Sequence, residues 1–372
     1  MITKEQFEKL IGKKLIEEEG KLVYDGNLSL CRRADITELP ESLKIIGNLN
    51  LCGSGITKLP KGLEVGGWLN ISETDIEELP EDTKFDGNLF VNYMKKPFSF
   101  PKIVKVNEHF ACTFTTIKRM PEELYTKYHC DFSYSQFDKS PKVMEVDYDL
   151  FLNHTSITEF FKDLIVSGKV YMCDTKLNDY SNLHKVCSEF IIDEDKYEEI
   201  KDTLAKHSKE NVWYDEIAVI FEPNYKGAYL FENKNGKYIK ADEIFGKIVE
   251  QKGNVYHVKL VGDEEITYLV TDGEGHWSHG YTLEGAKDDL IYKITDRDKS
   301  DYEGLTLDSE LSFEDAIVCY RVITGACSFG TKNFIENRLG KNKKEVYTIK
   351  EIIKLTNGEY GNKTFKDFFC KE

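Results

Sequence analysis

Apolar residues recur along residues 26–192 with a period of 20 or 21, and each repeat places two apolar positions around a variable one. Another apolar position follows five residues later, and in several repeats a Leu-Pro or Met-Pro pair comes three residues after that. A unit this short cannot bury its apolar side alone, so successive units must stack. The pattern therefore predicts a parallel β solenoid of about nine coils. The paired apolar positions are Leu28/Leu30, Leu49/Leu51, Leu69/Ile71, Leu89/Val91, Phe110/Cys112, Cys130/Phe132, Leu150/Leu152, Val170/Met172 and Phe190/Ile192.

The alternation of strand side chains decides which of these positions face the core. Within each apolar-x-apolar triplet we expect the flanking residues to point inward and the middle residue outward. The proline that follows Leu59, Leu79 or Met120 removes a backbone donor and holds an extended conformation. The limb that returns to the next strand is therefore expected to contain no regular helix.

The repeat resembles the leucine-rich repeats of bacterial type, whose short coil reads L-x-L/V-x-x-N-x-L-x-x-L-P. The resemblance covers residues 26–192 and implies a solenoid that acts as a binding surface. Where that family has a buried Asn, this chain has hydroxyl residues, which we expect to form a hydrogen-bonded ladder at the same corner. The hydroxyl residues are Ser54, Thr74, Thr115, Ser135, Thr155 and Thr175.

The chain as a whole is also similar to uncharacterised proteins of bacteriophages and prophages, through this hydroxyl variant of the repeat and the segment Ile-Thr-Gly-Ala-Cys ending at Cys327. That resemblance implies a protein that binds and modulates or inhibits a host protein, such as a defence nuclease. The inference rests on analogy, because a fold does not by itself define a function.

The remainder of the chain predicts further elements around the solenoid. Residues 1–25 predict a short helix and a strand that cap the first coil, and residues 193–215 predict a helical cap or hinge. Residues 216–372 predict a compact α+β domain, with strands in 216–294 and helices in 309–370. The fold class is therefore α+β, a leucine-rich-repeat-like solenoid followed by a separate domain.

Composition narrows the choice of partner and compartment. A net charge of −16 disfavours direct binding to nucleic acid or to an anionic membrane, and it suits a basic partner, including a nucleic-acid-binding protein. The alternative is that the acidic charge serves solubility alone. Nine cysteines without zinc-type spacing, and no signal-like or membrane-spanning apolar run, predict a cytoplasmic protein. No motif predicts a cofactor.

The outward row of the solenoid sheet supplies the first candidate site. It carries polar groups in the early coils and aromatic groups later, which is typical of a partner-binding surface. A metal site is also conceivable at His109, His129, Asp131 and Asp149, but their spacing is not diagnostic and a solvated polar face explains them better. The alternative for the aromatic groups is that the C-terminal domain covers them. The candidate partner-binding residues are Phe90, His109, His129, Asp131, Phe151 and Tyr171, together with Trp277.

The C-terminal domain supplies a second candidate site. Residues 273–281 predict a glycine-rich loop that carries His276 and His279, and such loops often hold ligands. A helix is predicted to break at Gly325 and restart at Ser328, which places Cys327 at a helix N-terminus that favours a thiolate. Cys327 with His276 or His279 could form a Cys–His nucleophile pair, although close helix packing explains the Gly-Ala-Cys sequence better.

These observations predict a protein that binds a host or cellular protein, of unknown oligomeric state. Two alternatives remain open at this point. One is an enzyme in which the solenoid selects a protein substrate for the Cys–His pair, and the other is a C-terminal domain that binds a small ligand or nucleotide.

Overall fold

The structure is a computed structural model that describes residues 2–137, 139–159, 161, 163–180, 183–204, 208–213, 216–233, 235–260, 265–340 and 343–370. The chain forms two compact units, Met1–Glu222 and Pro223–Glu372. The first unit is the solenoid, and the second contains a β-sheet and helices. The predicted α+β fold class is confirmed.

The predicted stack of parallel strands forms one face of the first unit, which we call the inner sheet. Neighbouring strands are in register from coil to coil, as when Leu49 pairs with Leu69 and Leu69 with Leu89. These three leucines are fully buried, as the alternation rule predicts. The parallel strands are Leu28–Ser29, Leu49–Asn50, Leu69–Asn70, Leu89–Phe90, Phe110–Ala111, Cys130–Asp131, Leu150–Phe151, Lys169–Tyr171 and Glu189–Asp193.

The return limbs form further parallel strands on the other side of the coils, which sequence analysis did not predict. Seven of them follow the proline position of the repeat, as in the strand that contains Leu43 and Ile45, both fully buried. The other two, Phe98–Ser99 and Ile117–Arg119, precede that position and pair with each other. A second period-2 pattern in a stacked repeat makes further parallel pairing for the same reason as in the inner sheet. The outer strands belong to three separate sheets. These outer strands are Leu43–Ile45, Glu64–Val65, Lys84–Phe85, Phe98–Ser99, Ile103–Val106, Ile117–Arg119, Glu123–Thr126, Val143–Val146 and Leu164–Val166.

The N-terminal segment packs against the first coil. Helix α1 (Lys4–Ile11) begins with a capping box between Thr3 and Gln6, and its Phe7 is fully buried in the solenoid core. A hairpin of strands Ile16–Glu18 and Lys21–Tyr24 follows, and the second of these pairs in parallel with Leu43–Ile45. The open end of the first coil is thereby covered.

The other end of the inner sheet closes with antiparallel strands. A 3₁₀ turn (Leu183–Lys185) precedes the last coil strand, and helix α2 (Glu194–Ile200) with a 3₁₀ turn (Lys201–Thr203) follows it. Strand Glu216–Phe221 then pairs antiparallel with Glu189–Asp193 on one side and with Ser208–Trp213 on the other. The strand that we assigned to the C-terminal domain from residue 216 therefore belongs to the solenoid unit, because its pairing partners lie there.

The predicted hydroxyl ladder joins neighbouring coils at Thr115 and Ser135. Ser135 Oγ donates to Cys112 O at 2.6 Å and Thr115 Oγ1 donates to Val91 O at 2.9 Å, which are bonds to the preceding coil. Thr74 and Thr155 instead donate within their own coil, to the carbonyl three residues earlier. A second ladder starts at Asn27 and Asn48, whose side-chain oxygens accept a backbone N–H from the following coil.

The second unit begins with a six-stranded antiparallel sheet in sequence order. Its core contains Tyr256, Leu269 and Trp277. Helices α3, α4 and α6 each begin at a hydroxyl residue, Thr282, Ser312 or Thr348, whose side chain accepts a backbone N–H of the first turn. The strands are Tyr229–Asn233, Gly236–Ala241, Ile244–Lys252, Val255–Leu260, Thr267–Thr271 and Trp277–Gly280, followed by α3 (Leu283–Ile294), a 3₁₀ turn (Ser300–Tyr302), strand Glu310–Ser312, α4 (Phe313–Thr324), α5 (Ser328–Phe334), a π turn (Ile335–Leu339), strand Val346–Thr348, α6 (Ile349–Leu355) and α7 (Asn362–Phe369).

Helices α3 and α4 are the longest in the described part of the chain, at 12 residues each. A membrane span needs about 20 residues of mostly apolar sequence. None of the described helices could therefore cross a bilayer.

Candidate partner-binding surface of the solenoid

Four rings stack along the turn that ends the inner strands, one from each of four consecutive coils. We call Tyr93, Phe114, Tyr134 and His154 the aromatic column. Their ring centroids are 4.6, 4.4 and 4.3 Å apart in that order, with interplanar angles of 7°, 5° and 18°. Tyr93 is 52% exposed, and Phe114 and Tyr134 are each 46% exposed. The column is thus a continuous aromatic surface in contact with solvent.

The backbone explains why these side chains project from the coil. All four residues have a positive φ, between 51° and 62°, where a residue with a Cβ is uncommon. Gly53 holds the same position in an earlier coil at φ 63°. The turn demands this left-handed conformation, and the residue that adopts it directs its side chain away from the core.

Acidic residues flank the column in the same row of the solenoid. Glu73 lies one coil before Tyr93, and Asp174 lies one coil after His154. Asp174 Oδ2 is 2.8 Å from His154 Nδ1. The column is therefore aromatic at its centre and acidic at both ends, which suits a ligand with apolar and cationic groups.

The predicted residues of the outward strand row lie where the sequence placed them, on the inner sheet. Phe90 is half-buried and meets Trp68 edge-to-face at 6.3 Å. Phe151 and Tyr171 are half-buried and stack at 4.5 Å. Burial, and then the nearby carboxylates of Asp149, Glu189 and Glu216, raise the pKa of the Tyr171 hydroxyl to about 12.

The two predicted histidines stack on one another next to this row. His109 and His129 have ring centroids 5.2 Å apart, and Tyr128 stacks on His109 at the same distance. Asp131 uses Oδ1 to accept the Ser133 N–H at 2.8 Å, which fixes the local turn. Within the described residues, no group of three or more His, Cys, Asp or Glu side chains could hold a metal ion.

Trp277, predicted to bind a partner, is instead a core residue of the second unit. It is 1% exposed, and its indole N–H donates to Lys226 O at 2.7 Å. The surrounding glycines had indicated a loop, but Trp277–Gly280 is a strand whose residues are buried on both faces. The predicted loop was wrong, because a strand that is buried on both faces shows no polar alternation in its sequence.

The candidate Cys–His pair also lies in the core of the second unit. Cys327 is the N-cap of α5, as predicted, and its Sγ accepts the Gly330 N–H at 3.2 Å. Burial raises the pKa of the Cys327 thiol, although the charge of Lys293 opposes the rise. His279 is 2% exposed, and burial lowers the pKa of its ring to about 3. The thiol is protonated and the ring neutral at pH 7, which is not the charge state of an activated nucleophile pair.

The other candidate histidine closes a turn. His276 is exposed, and its Nδ1 lies 2.6 Å from Asp272 Oδ2. Asp272 Oδ1 accepts the backbone N–H groups of Glu274 and His276, which holds residues 272–276 in a compact turn. This arrangement explains His276 without a ligand.

No family model, curated protein or solved structure matches this chain. The fold and the surface chemistry of the solenoid are therefore the basis for a functional proposal.

Sequence analysis missed the aromatic column, although its signal is present. Tyr93, Phe114, Tyr134 and His154 are 21, 20 and 20 residues apart, which is the period of the repeat itself. The prediction considered only the strand row, where alternation identifies outward residues. The turn position was not considered. Its side chains point outward because the backbone has a positive φ there, not because of strand alternation.

Proposed function

We propose that this protein binds another protein, of basic character, through the aromatic column and the adjoining outward row of the inner sheet. The observation that carries the proposal is the exposed stack of Tyr93, Phe114 and Tyr134. Aromatic side chains dominate the energetics of protein interfaces and are enriched at their centres. Exposed apolar patches of this kind mark interaction sites in proteins that remain soluble.

Charge supports a basic partner. The chain has a net charge of −16, and Glu73 and Asp174 stand at the two ends of the column. Acids around an aromatic centre favour Arg-rich surfaces, since guanidinium groups pair with carboxylates and also stack on aromatic rings. The same charge repels nucleic acid, so a nucleic-acid-binding protein is a more suitable ligand than nucleic acid itself.

We further propose, by resemblance to phage and prophage proteins, that the partner is a host protein whose activity is inhibited. A nuclease of a host defence system fits, because its binding groove is basic. This step rests on the sequence resemblance and on charge.

The second unit gives less support to the alternative functions. Cys327 and His279 are buried in charge states that do not suit nucleophilic catalysis. In the predicted ligand loop, Trp277 and His279 are core residues. The column therefore supports protein binding better than the second unit supports an enzyme or a small-ligand site.

The test is a quantitative capture experiment with the full-length protein and lysate of the bacterial host. Tyr134→Ser removes an exposed ring from the column, and Ile103→Ser is the matched control, since Ile103 is 52% exposed on an outer strand. The proposal predicts a basic protein that wild type and Ile103→Ser both retain and that Tyr134→Ser loses. Loss of an interface hot spot costs about 2 kcal/mol or more, roughly a 30-fold weaker Kd.

Binding of the captured protein should weaken as salt rises, because charge attraction is screened. Equal capture by wild type and Tyr134→Ser would refute the proposed surface. Capture that depends on Ile103 would place the interaction on the outer strands instead.

A further inference from the structure

Two cysteines occupy the same position on the first two coils. Cys31 and Cys52 directly follow the apolar triplets that begin at Leu28 and Leu49. The parallel hydrogen bonding of these strands continues through both cysteines. Leu30 N–H donates to Asn50 O at 2.7 Å, and Arg32 N–H donates to Cys52 O at 2.8 Å. Cys31 and Cys52 are therefore side-by-side neighbours on adjacent coils.

This placement suits a disulfide. Neighbouring residues on paired strands are about 4.8 Å apart, and disulfides join residues whose Cα atoms are about 4.4–6.8 Å apart. Both residues are free thiols, and an interaction between the two thiols is present.

The surroundings give the two thiols different roles. Cys31 is exposed, whereas Cys52 is partly buried. The Cys52 thiol donates to Glu73 Oε1 at 3.8 Å. Burial and then the Glu73 carboxylate raise the pKa of Cys52, which keeps it in the thiol form. A dissolved oxidant therefore reaches the Cys31 sulfur first. Cys52 is shielded from the oxidant and reacts only with the oxidised sulfur of Cys31.

We propose that Cys31 and Cys52 are a site of reversible oxidative modification, at which a peroxide converts the pair into an intramolecular disulfide. In the first step the O–O bond of the peroxide breaks, an S–O bond forms on Cys31, and one water leaves with the thiol proton. In the second step Cys52 Sγ attacks the Cys31 sulfur. The S–S bond forms, the S–O bond breaks, and the hydroxide leaves as a second water with the Cys52 proton. The two thiols lose two electrons in total, and the peroxide gains them.

The remaining cysteines do not share this arrangement. Six are buried, namely Cys112, Cys130, Cys173, Cys187, Cys319 and Cys327. Cys370 is exposed near the end of the second unit and serves as a control for accessibility alone. The proposed disulfide joins the first two coils and does not depend on the proposed partner surface.

The test uses the full-length reduced protein and about one equivalent of hydrogen peroxide. After quenching with a maleimide, peptides are mapped by mass spectrometry without reduction. The expected product is a monomer in which the peptides of Cys31 and Cys52 are linked and are separated again by dithiothreitol. A dimer linked through Cys31, or free thiols at both positions, would overturn the proposal.

Serine variants test the order of the steps. Cys52→Ser should lose the cross-link and leave a sulfenic acid at Cys31, which dimedone traps. Cys31→Ser should leave Cys52 as an unreacted thiol. Cys370→Ser should retain the cross-link at the wild-type level, and circular dichroism should show the wild-type fold for all three. A dimedone adduct on Cys52 in Cys31→Ser would contradict the assigned roles.

Discussion

The aromatic column allows a stability prediction whose size follows from the number of stacked neighbours. Phe114 stacks on Tyr93 at 4.6 Å and on Tyr134 at 4.4 Å, whereas Tyr93 ends the column and stacks on Phe114. A stacked aromatic pair contributes about 0.5–1.5 kcal/mol beyond the burial of its surface. Phe114→Ala should therefore cost about 1–3 kcal/mol of unfolding free energy from lost stacking, and Tyr93→Ala about half as much.

The backbone of the turn supplies a second, opposite effect. Phe114 has φ 51°, a left-handed conformation that costs a residue with a Cβ about 1–2 kcal/mol. Phe114→Gly removes the same stacks as Phe114→Ala but relieves this strain. We expect the glycine variant to be more stable than the alanine variant by about 1 kcal/mol, which reverses the usual order of the two residues.

Urea unfolding of the full-length variants, followed by circular dichroism, measures these differences through the transition midpoint and slope. The comparison of variants does not depend on the absolute stability of the protein. Equal costs for Tyr93→Ala and Phe114→Ala would refute the stacking argument. A glycine variant less stable than the alanine variant would refute the argument from φ.

Three further predictions concern the second unit. Burial lowers the pKa of His279 from 6.5 to about 3, so below pH 6.5 the unfolded chain binds a proton that the folded chain excludes. Stability should fall by about 1.4 kcal/mol per pH unit from pH 6.5 towards 3, and His279→Leu should flatten that slope in acid melting curves. Lys293 forms a buried ion pair with Asp242. Asp242→Ala should therefore lower the free energy of unfolding by about 3–5 kcal/mol, as measured by urea unfolding, because it leaves the Lys293 charge buried without its partner. Asp242→Leu combined with Lys293→Met should recover most of this loss. Native iodoacetamide treatment should alkylate exposed Cys31 and leave Cys327 unmodified, because burial raises the pKa of the Cys327 thiol.

Each of these predictions has a distinct contradicting result. An unchanged acid slope in His279→Leu would mean that other groups control the acid transition. A double variant as unstable as Asp242→Ala would show that the buried polar cluster stabilises the fold by more than charge pairing. Rapid alkylation of native Cys327 would restore the case for a nucleophilic cysteine.

The inner sheet could be predicted from the sequence because a single short repeat cannot bury its own apolar side chains. It must stack on its neighbours to do so. The outer strands were equally predictable, because pairs such as Leu43 and Ile45 show the same alternation. They were not predicted, because the prolines indicated only an extended chain in the return limbs. From residue 216 onward, the strand signals at residues 217–221, 228–232, 255–261 and 266–270 did not include strands Gly236–Ala241 and Ile244–Lys252 of the second unit. Their turn is formed by Asp242 and Glu243, both at positive φ, and a turn of this type without glycine has no clear sequence signal.

The candidate site was predictable only where alternation defines the exposed side. Phe90, Phe151 and Tyr171 were placed correctly for that reason. Trp277 was misplaced because a glycine-rich segment can be either a loop or a strand closely covered by a helix. In the structure Gly280 lies against the backbone of Ala286 at the start of α3, with no room for a side chain. A glycine required by such close helix packing looks the same in the sequence as a glycine of a loop.

The left-handed turn position also bears on how such a protein can change its specificity. Eight coils place Arg32, Gly53, Glu73, Tyr93, Phe114, Tyr134, His154 and Asp174 there, all with φ between 51° and 63°. None of these eight is β-branched, as expected for that region of backbone conformation. The same backbone conformation thus accommodates basic, acidic and aromatic side chains as well as glycine. Mutation can therefore exchange the exposed groups of this row one coil at a time while the scaffold remains intact.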